Sequence, residues 1–268
     1  MTEAKQSGAG VKLSDRLAAL AEWVPAGARF ADIGTDHALL PVFLAATGKV
    51  ASAVAGDVHR GPVETARRQV SAAGLADVVS VRQGDGLTVL EPDEADTVCI
   101  AGMGGSLIVR LLDAAGSRLD GVGTLILSPH VAEDQVRRWL VQHAYVLEGE
   151  RLVEEDGETY TLLKAVRKDE AEAAKRNAEL YDERLLGPGC PEIPQALIYD
   201  MGPLLLRGSD EAFRRKWEAE LAKREAIVGR LRLSAAEEAA AKARDWEETN
   251  RKIKEVLACW PGERRSFN

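Results

Sequence analysis

The stretch that most constrains this chain is Ala31-Asp32-Ile33-Gly34-Thr35-Asp36-His37-Ala38-Leu39-Leu40-Pro41, entered through Arg29-Phe30. A short apolar run broken at a glycine is the pattern of a buried parallel strand that feeds a turn where backbone comes close to a ligand. Twenty-three residues past Gly34, a second apolar run from Val50 to Val58 carries Asp57 at its end. Doubly wound nucleotide folds place a ribose-binding carboxylate at about this separation. A dinucleotide does not fit, because the G-x-G-x-x-G loop is absent and Asp36 stands where its second glycine would be. That carboxylate would repel a pyrophosphate but suits the cationic end of S-adenosylmethionine (SAM), the cofactor expected here.

The rest of the first 168 residues alternates strand and helix. Leu13, Leu17, Leu20 and Val24 fall on one helical stripe that Ser14 caps and Pro25-Ala26-Gly27 stops. Strands are expected over 29–34, 50–57, 78–82, 96–101 and 124–127. Helices are expected over about 39–47, 62–73, 106–116 and 133–143. Two final strands, 145–151 and 159–166, flank the turn Glu154-Glu155-Asp156-Gly157. The pattern is a parallel sheet closed by an antiparallel hairpin, as in SAM-dependent methyltransferases. Asp36, Asp57, Asp85, Met103 and His130 then all lie at carboxyl ends of strands, the rim on which open α/β sheets bind ligands.

Beyond Lys168 the chain becomes charged helix, broken by Gly187-Pro188-Gly189-Cys190-Pro191-Glu192-Ile193-Pro194. Phe213, Trp217, Leu221, Val228 and Leu231 recur at helical steps, as do Trp246, Ile253, Leu257 and Trp260, which predicts an antiparallel coiled-coil hairpin. Arg214, Arg215, Lys216, Lys223, Arg224, Arg230 and Arg232 beside the stripe read either as an RNA contact or as a solvated face paired with Glu218, Glu220 and Glu225. The expected fold is therefore α/β: a Rossmann-like SAM-dependent methyltransferase domain over 1–168, with a C-terminal helical coiled-coil domain over 169–268. Three cysteines, 99, 190 and 259, show no C-x-x-C spacing and are odd in number, so neither a disulfide scaffold nor a zinc site is indicated and a reducing cytosol is expected. No signal peptide or membrane segment is seen. The net charge of −8 weighs against nucleic acid and leaves the question to local patches.

Several of these runs together resemble a known family. Leu13-Ser14-x-Arg16-Leu17, the Ala31–Pro41 stretch, Gly61-Pro62, Gly84-Asp85-Gly86-Leu87 and Ile100-Ala101-Gly102-Met103-Gly104-Gly105 resemble the bacterial tRNA (adenine-N1)-methyltransferases that modify adenine 22, the TrmK family. Gly202-Pro203-Leu204-Leu205 and Lys216-Trp217-Glu218 extend the likeness into the tail. Two departures stand out: Ser128-Pro129-His130 where the family has Gln-Pro-Asn, and Asp57 where it has Glu.

The resemblance implies methyl transfer from SAM to N1 of a tRNA adenine, with tRNA as partner, no membrane, no metal and a monomeric chain. Adenine N1 offers an in-plane lone pair at neutral pH, so orientation and dryness matter more than a base. The loop after the fourth strand carries neither an aromatic to stack a base nor an amide to grip an exocyclic amine, which favours a ring nitrogen over N6. Asp32, Gly34, Asp57, Val58, Asp85, Gly86, Ala101 and Gly102 are the expected cofactor-binding residues. Among them Asp32 serves the amino-acid end, Asp57 the ribose and Asp85 the adenine N6. Asp36, His37, Met103 and Gly104 are expected around the transfer itself. His59, His130 and His143 are taken as structural or surface residues, and Arg16 as reaching either the cofactor, a tRNA phosphate or a surface acid. Other classes are a nicotinamide oxidoreductase, a non-catalytic RNA-binding protein and, foremost, a SAM-dependent enzyme for a small molecule or protein.

Overall fold

A computed structural model describes residues 7–8, 10–208, 210–234 and 236–259. The chain divides into two compact units, Met1–Arg176 and Asn177–Asn268. In the first, β1 (Ser7–Gly8) and β2 (Val11–Lys12) make a short antiparallel pair, and α1 (Asp15–Trp23) follows, with Ser14 accepting from the Leu17 N–H at 3.4 Å as its cap. Leu13, Leu20 and Val24 of the expected stripe are buried. Then come β3 (Ala28–Ile33), α2 (Leu39–Ala46), β4 (Val50–Asp57), α3 (Arg60–Ala72), β5 (Val79–Gln83), β6 (Thr97–Met103), α4 (Gly105–Asp113), β7 (Thr124–Pro129), α5 (Glu133–Gln142), β8 (Tyr145–Glu155) and β9 (Glu158–Arg167).

Seven strands form one sheet in the order β5-β4-β3-β6-β7-β9-β8. The first five run parallel and β9 enters antiparallel between β7 and β8. The β8–β9 turn uses Asp156 and Gly157, both at positive φ (52° and 81°), as a right-twisted two-residue hairpin requires. The chain winds outward from β3 to β5, then crosses back to β6 on the other side of β3. This reversal opens a crevice at the carboxyl ends of β3 and β6, where a doubly wound sheet takes its ligand. Phe30, Ala55, Cys99, Ile126 and Leu162 share one buried cluster with α1 and α2. The fold class read from the sequence is thus found, including the antiparallel closing hairpin.

The second unit contains α7 (Gln195–Met201), α8 (Pro203–Arg207), α9 (Glu211–Arg232) and α10 (Glu237–Ala258), while α6 (Glu170–Leu180) runs across the boundary. Arg232 pairs with Glu247 at 2.6 Å and Lys254 with Glu225 at 2.7 Å, so α9 and α10 run antiparallel. Phe213, Trp217, Val228 and Ile253 are buried along the seam, as the spacing predicts, whereas Trp260 lies outside the described residues. The flanking cations mostly meet acids: Arg214 with Glu218 at 2.8 Å and Arg224 with Glu220 at 3.0 Å.

One expectation is overturned. Cys190 and Cys259 are joined by a disulfide, with their Cα atoms 5.7 Å apart. Sequence spacing carries no information about this, because the hairpin returns the end of α10 to the 187–194 loop. Only Cys99, buried in β6, is a free thiol. Closing a loop of 69 residues restricts the unfolded chain by about 4 kcal/mol. Denatured, unreduced protein should therefore titrate one thiol per chain and reduced protein all three. Reduction should also lower the melting midpoint of the second unit.

Candidate active site

The crevice is built from strand ends stitched together by backbone. The N–H groups of Gly34 and Thr35 both donate to the Gly56 carbonyl, at 2.8 and 3.0 Å, and the Gly84 N–H donates to the Asp57 carbonyl at 3.0 Å. The turns after β3, β4 and β5 are thereby fixed side by side. Gly34 has φ +76°, and a Cβ there would stand 2.1 Å from the Met103 Cε, so the Met103 side chain reaches from the end of β6 across the face of Gly34. Gly102, at φ +78°, sits where the β6–β7 register shifts, as a bulge that re-aims the strand end. The His130 N–H donates to the Met103 carbonyl at 2.9 Å, and the Gly105 N–H to the Val131 carbonyl at 2.8 Å.

Asp32 is only 8 % exposed, and one carboxylate oxygen accepts from the Thr35 hydroxyl at 2.6 Å. Burial, opposed by that bond and reinforced by Asp36 and Asp57, pushes its pKa from 3.8 up to about 6. An acid in this state gains most from a cationic partner. Asp57 closes β4 with its side chain 13 % exposed, oriented by the His59 N–H, which donates to its Oδ1 at 2.7 Å. Val58, beside it, is half exposed. Asp85 precedes a short 3-10 turn without spending its side chain on a cap, and Gly86, at φ +54°, packs under Leu111. Three carboxylates, Asp32, Asp57 and Asp85, thus line one end of the crevice, a setting for a ligand with positive charge and hydroxyl groups.

Asp36 and His37 lie further out. Their side chains are 83 % and 53 % exposed and face each other at 3.5 Å, while His37 and Ala38 both hold left-handed backbone (φ 57° and 55°). Two non-glycine residues in that region are held there by their surroundings, a feature of ligand-binding turns. Ala101 is half-buried, and Gly104 caps α4 through its backbone alone.

Three contacts could not be read from the sequence. Arg16 lies over the Tyr160 ring, 4.6 Å from its centroid, and its backbone N–H donates to Glu155 at 3.1 Å. The His130 ring meets the same tyrosine edge-on at 5.4 Å. These residues come from α1, β8, β9 and the β7 end, and only the insertion of β9 into the sheet brings them together.

The family profile for tRNA (adenine(22)-N(1))-methyltransferase, TrmK, matches residues 30–257. The chain is 39 % identical to the Bacillus subtilis (strain 168) enzyme of that name over 246 residues, 92 % of this chain and 93 % of the relative. It belongs to the TrmK family. The crystal structure of the B. subtilis M1A22 tRNA methyltransferase superposes with a TM-score of 0.81 at 37 % identity, covering 92 % of this chain and 99 % of that one. Streptococcus pneumoniae Sp1610 in complex with S-adenosyl-L-methionine gives 0.75 at 31 % identity, covering 91 % and 99 %. Within this TrmK chain the departure at 128–130 has a structural counterpart. Ser128 is fully buried with no partner for its hydroxyl, and His130 turns outward against Tyr160.

Proposed function

We propose that this chain transfers a methyl group from SAM to N1 of adenine 22 in tRNA. The observation that carries this reading is the match to the Bacillus subtilis enzyme along nearly the whole chain, crevice turns and helical tail alike. The residues present fit SAM. The buried, proton-avid Asp32 suits an ammonium group, Asp57 suits the ribose hydroxyls, and Asp85 has a carboxylate uncommitted to its own turn. Gly34 and Gly102 leave backbone bare where a ligand must approach. When bound, SAM supplies an electrophilic methyl on a sulfonium.

The chain's own residues have the task of placing an adenine against that methyl. N1 is a nucleophile without help from a base, so no side chain has to remove a proton before transfer. The Ala101–Gly104 turn offers a narrow face without an aromatic or amide, shaped for a ring nitrogen. Met103, lying over Gly34, screens this end of the crevice from water. Asp36 and His37, exposed at the rim, are placed to meet the incoming nucleotide. An adenine in a stem must leave its stack to arrive there, at a cost of a few kcal/mol.

The reading takes such an enzyme to work in the cytoplasm, where thioredoxin and glutathione oppose disulfides. Among the described residues no helix is long and apolar enough to cross a membrane, and no group of three or more His, Cys, Asp or Glu is placed to hold a metal. The reading takes the chain as a monomer acting without a metal.

Incubation with labelled SAM and an unmodified tRNA transcript should yield 1-methyladenosine on nucleoside analysis, and a transcript with guanine at position 22 should yield none. Label recovered in a small molecule or protein instead would overturn the tRNA reading and keep the methyltransferase. Asp32 adds a pH signature. Its raised pKa means the ionised form is disfavoured in the fold, so its cost appears as pH rises through 3.8 and is complete above about 6. At about 1.4 kcal/mol per tenfold change in proton affinity that cost is about 3 kcal/mol at neutral pH. Asp32→Asn should therefore raise the melting midpoint at pH 7 while weakening SAM binding. In the wild type, affinity for SAM should fall roughly tenfold per pH unit below about 6, a dependence the variant loses.

A further inference from the structure

His130 follows directly on β7, and the antiparallel register of β7 with β9, in which Leu127 stands opposite Leu163, sets it across from Tyr160 when continued three residues. The two ring centroids are 5.4 Å apart, with the planes at 66°. An edge-on contact of this kind covers at most one face of the imidazole. The residue is exposed, and among the described residues its ring makes no hydrogen bond or ion pair. Its backbone is nonetheless fixed. The His130 N–H donates to the Met103 carbonyl at 2.9 Å, and the next carbonyl, of Val131, accepts from the Gly105 N–H at 2.8 Å. Val131 is itself 64 % exposed, and its Cγ2 stands 3.6 Å from where a Cβ on Gly104 would be. A lone exposed valine is ordinary. One clamped beside an open imidazole, over a bare glycine, makes a rigid contact surface for a flat apolar group.

Which group this surface takes follows from its place in the sheet. β7 neighbours β6, whose end carries Met103, and lies four places from β5 in the order β5-β4-β3-β6-β7. At the usual strand spacing those four places span about 19 Å. An adenine held at Asp85, beyond the end of β5, therefore does not reach His130, and a planar group received here is a second one. The Ala101–Gly104 turn has no aromatic of its own, so a base brought against it needs a π-face from a neighbouring element. Extruded bases are held by stacking on aromatic and apolar side chains.

We propose that His130, backed by Tyr160 and flanked by Val131, is the stacking seat of the adenine that receives the methyl. The seat presupposes the tRNA reading above and adds to it the residue that holds the extruded base. Ser128-Pro129-His130 is also where the chain departs from the family pattern, so the seat belongs to this chain. An imidazole offers a face, which an asparagine does not. The bond from His130 to Met103 ties the height of that face to the β6 turn, and a base lying on it is held in one plane. An in-line approach of N1 requires such a fixed plane.

The test compares wild type with His130→Ala, His130→Phe and His130→Asn in steady-state methylation of a tRNA transcript, alongside S-adenosylhomocysteine titration and thermal melts. All three variants keep the backbone bond to Met103. His130→Ala should lose roughly 5- to 150-fold in kcat, the worth of one base–aromatic stack. Its KM for tRNA and its affinity for S-adenosylhomocysteine should stay within about twofold of wild type, because the seat acts only on the extruded base. His130→Phe should return to within about threefold of wild type. His130→Asn, which keeps hydrogen-bonding groups without a ring, should stay with the alanine variant, and an asparagine variant as fast as wild type overturns the stack. A loss confined to KM would place the ring on the body of the tRNA. Loss of S-adenosylhomocysteine affinity with a lowered melting midpoint would make it a support for the Met103 turn; either result overturns the proposal. Should the variants fail to fold, wild type decides by proton NMR. The imidazole signal that cross-relaxes with the Tyr160 ring should move upfield with tRNA carrying adenine 22 and not with tRNA abasic at that position, and equal spectra overturn the seat. Wild type that binds S-adenosylhomocysteine but methylates no tRNA overturns the tRNA reading and the seat with it, whereas an active wild type with an equally active His130→Ala overturns the seat alone.

Discussion

Asp57→Ala is expected to reduce affinity for S-adenosylhomocysteine by about two to four orders of magnitude while leaving the melting midpoint nearly unchanged. The carboxylate ends β4 between the turns of β3 and β5, and its Oδ1 is held by the His59 N–H at 2.7 Å. That bond fixes the carboxylate in place for two ribose hydroxyls, so little side-chain freedom is lost when they arrive. Hydrogen bonds to a charged acceptor contribute about 1.5–3 kcal/mol each. Two of them come to roughly 3–6 kcal/mol, or on the order of 10² to 10⁴ in affinity. The stability cost is small because the orphaned His59 N–H is at an exposed position where water replaces the carboxylate. Asp57→Asn keeps the shape without the charge and should fall between the two. Unchanged titration with the alanine variant would move the ribose acid elsewhere on the rim.

The legible parts of the fold are those where local chemistry and global position agree. Apolar runs that stop at Gly34, Asp57 and Gly102 are buried strands, and they stop because the chain must turn at the sheet edge. The Leu13–Val24 and Phe213–Val228 stripes were readable for the same reason, since helical period and burial coincide. What stayed hidden required the third dimension. Cys190 and Cys259 meet only because α9 and α10 fold back on each other. Arg16, Tyr160 and His130 meet only because β9 is inserted beside β7. The left-handed backbone of His37 and Ala38 is invisible in residues that ordinarily avoid it, and so is the bulge that turns Gly102 outward. The acids of the crevice were found from spacing, whereas Arg16 was named from the sequence with three possible partners, and only the fold shows it against Tyr160 and Glu155.

Gly105→Ala should be the most damaging single methyl in the first unit, and comparison with Gly34→Ala shows why. A Cβ on Gly105 would stand 2.2 Å from the Ala132 carbonyl oxygen and 2.8 Å from that of Val131. Both are backbone atoms, and Ala132 is already at φ 57°, so neither can swing aside. The same loop carries His130, whose N–H holds the Met103 carbonyl, and the Gly105 N–H holds Val131. One methyl therefore separates the β6–α4 turn from the β7–α5 turn. Overpacking against backbone costs about 3 kcal/mol or more, a drop in melting midpoint of roughly 6–12 °C for a chain of this size. A Cβ on Gly34 has an even closer neighbour, Met103 Cε at 2.1 Å, but that atom is the free end of a flexible side chain. Its cost is the left-handed backbone, about 1–2 kcal/mol, together with a Met103 pushed into the crevice. Gly34→Ala should thus melt within a few degrees of wild type and bind S-adenosylhomocysteine poorly, whereas Gly105→Ala should lose fold and binding together. Thermal melts and titrations on both variants separate the two effects, and a Gly105→Ala protein that melts like wild type would mean that the two turns are not packed backbone to backbone.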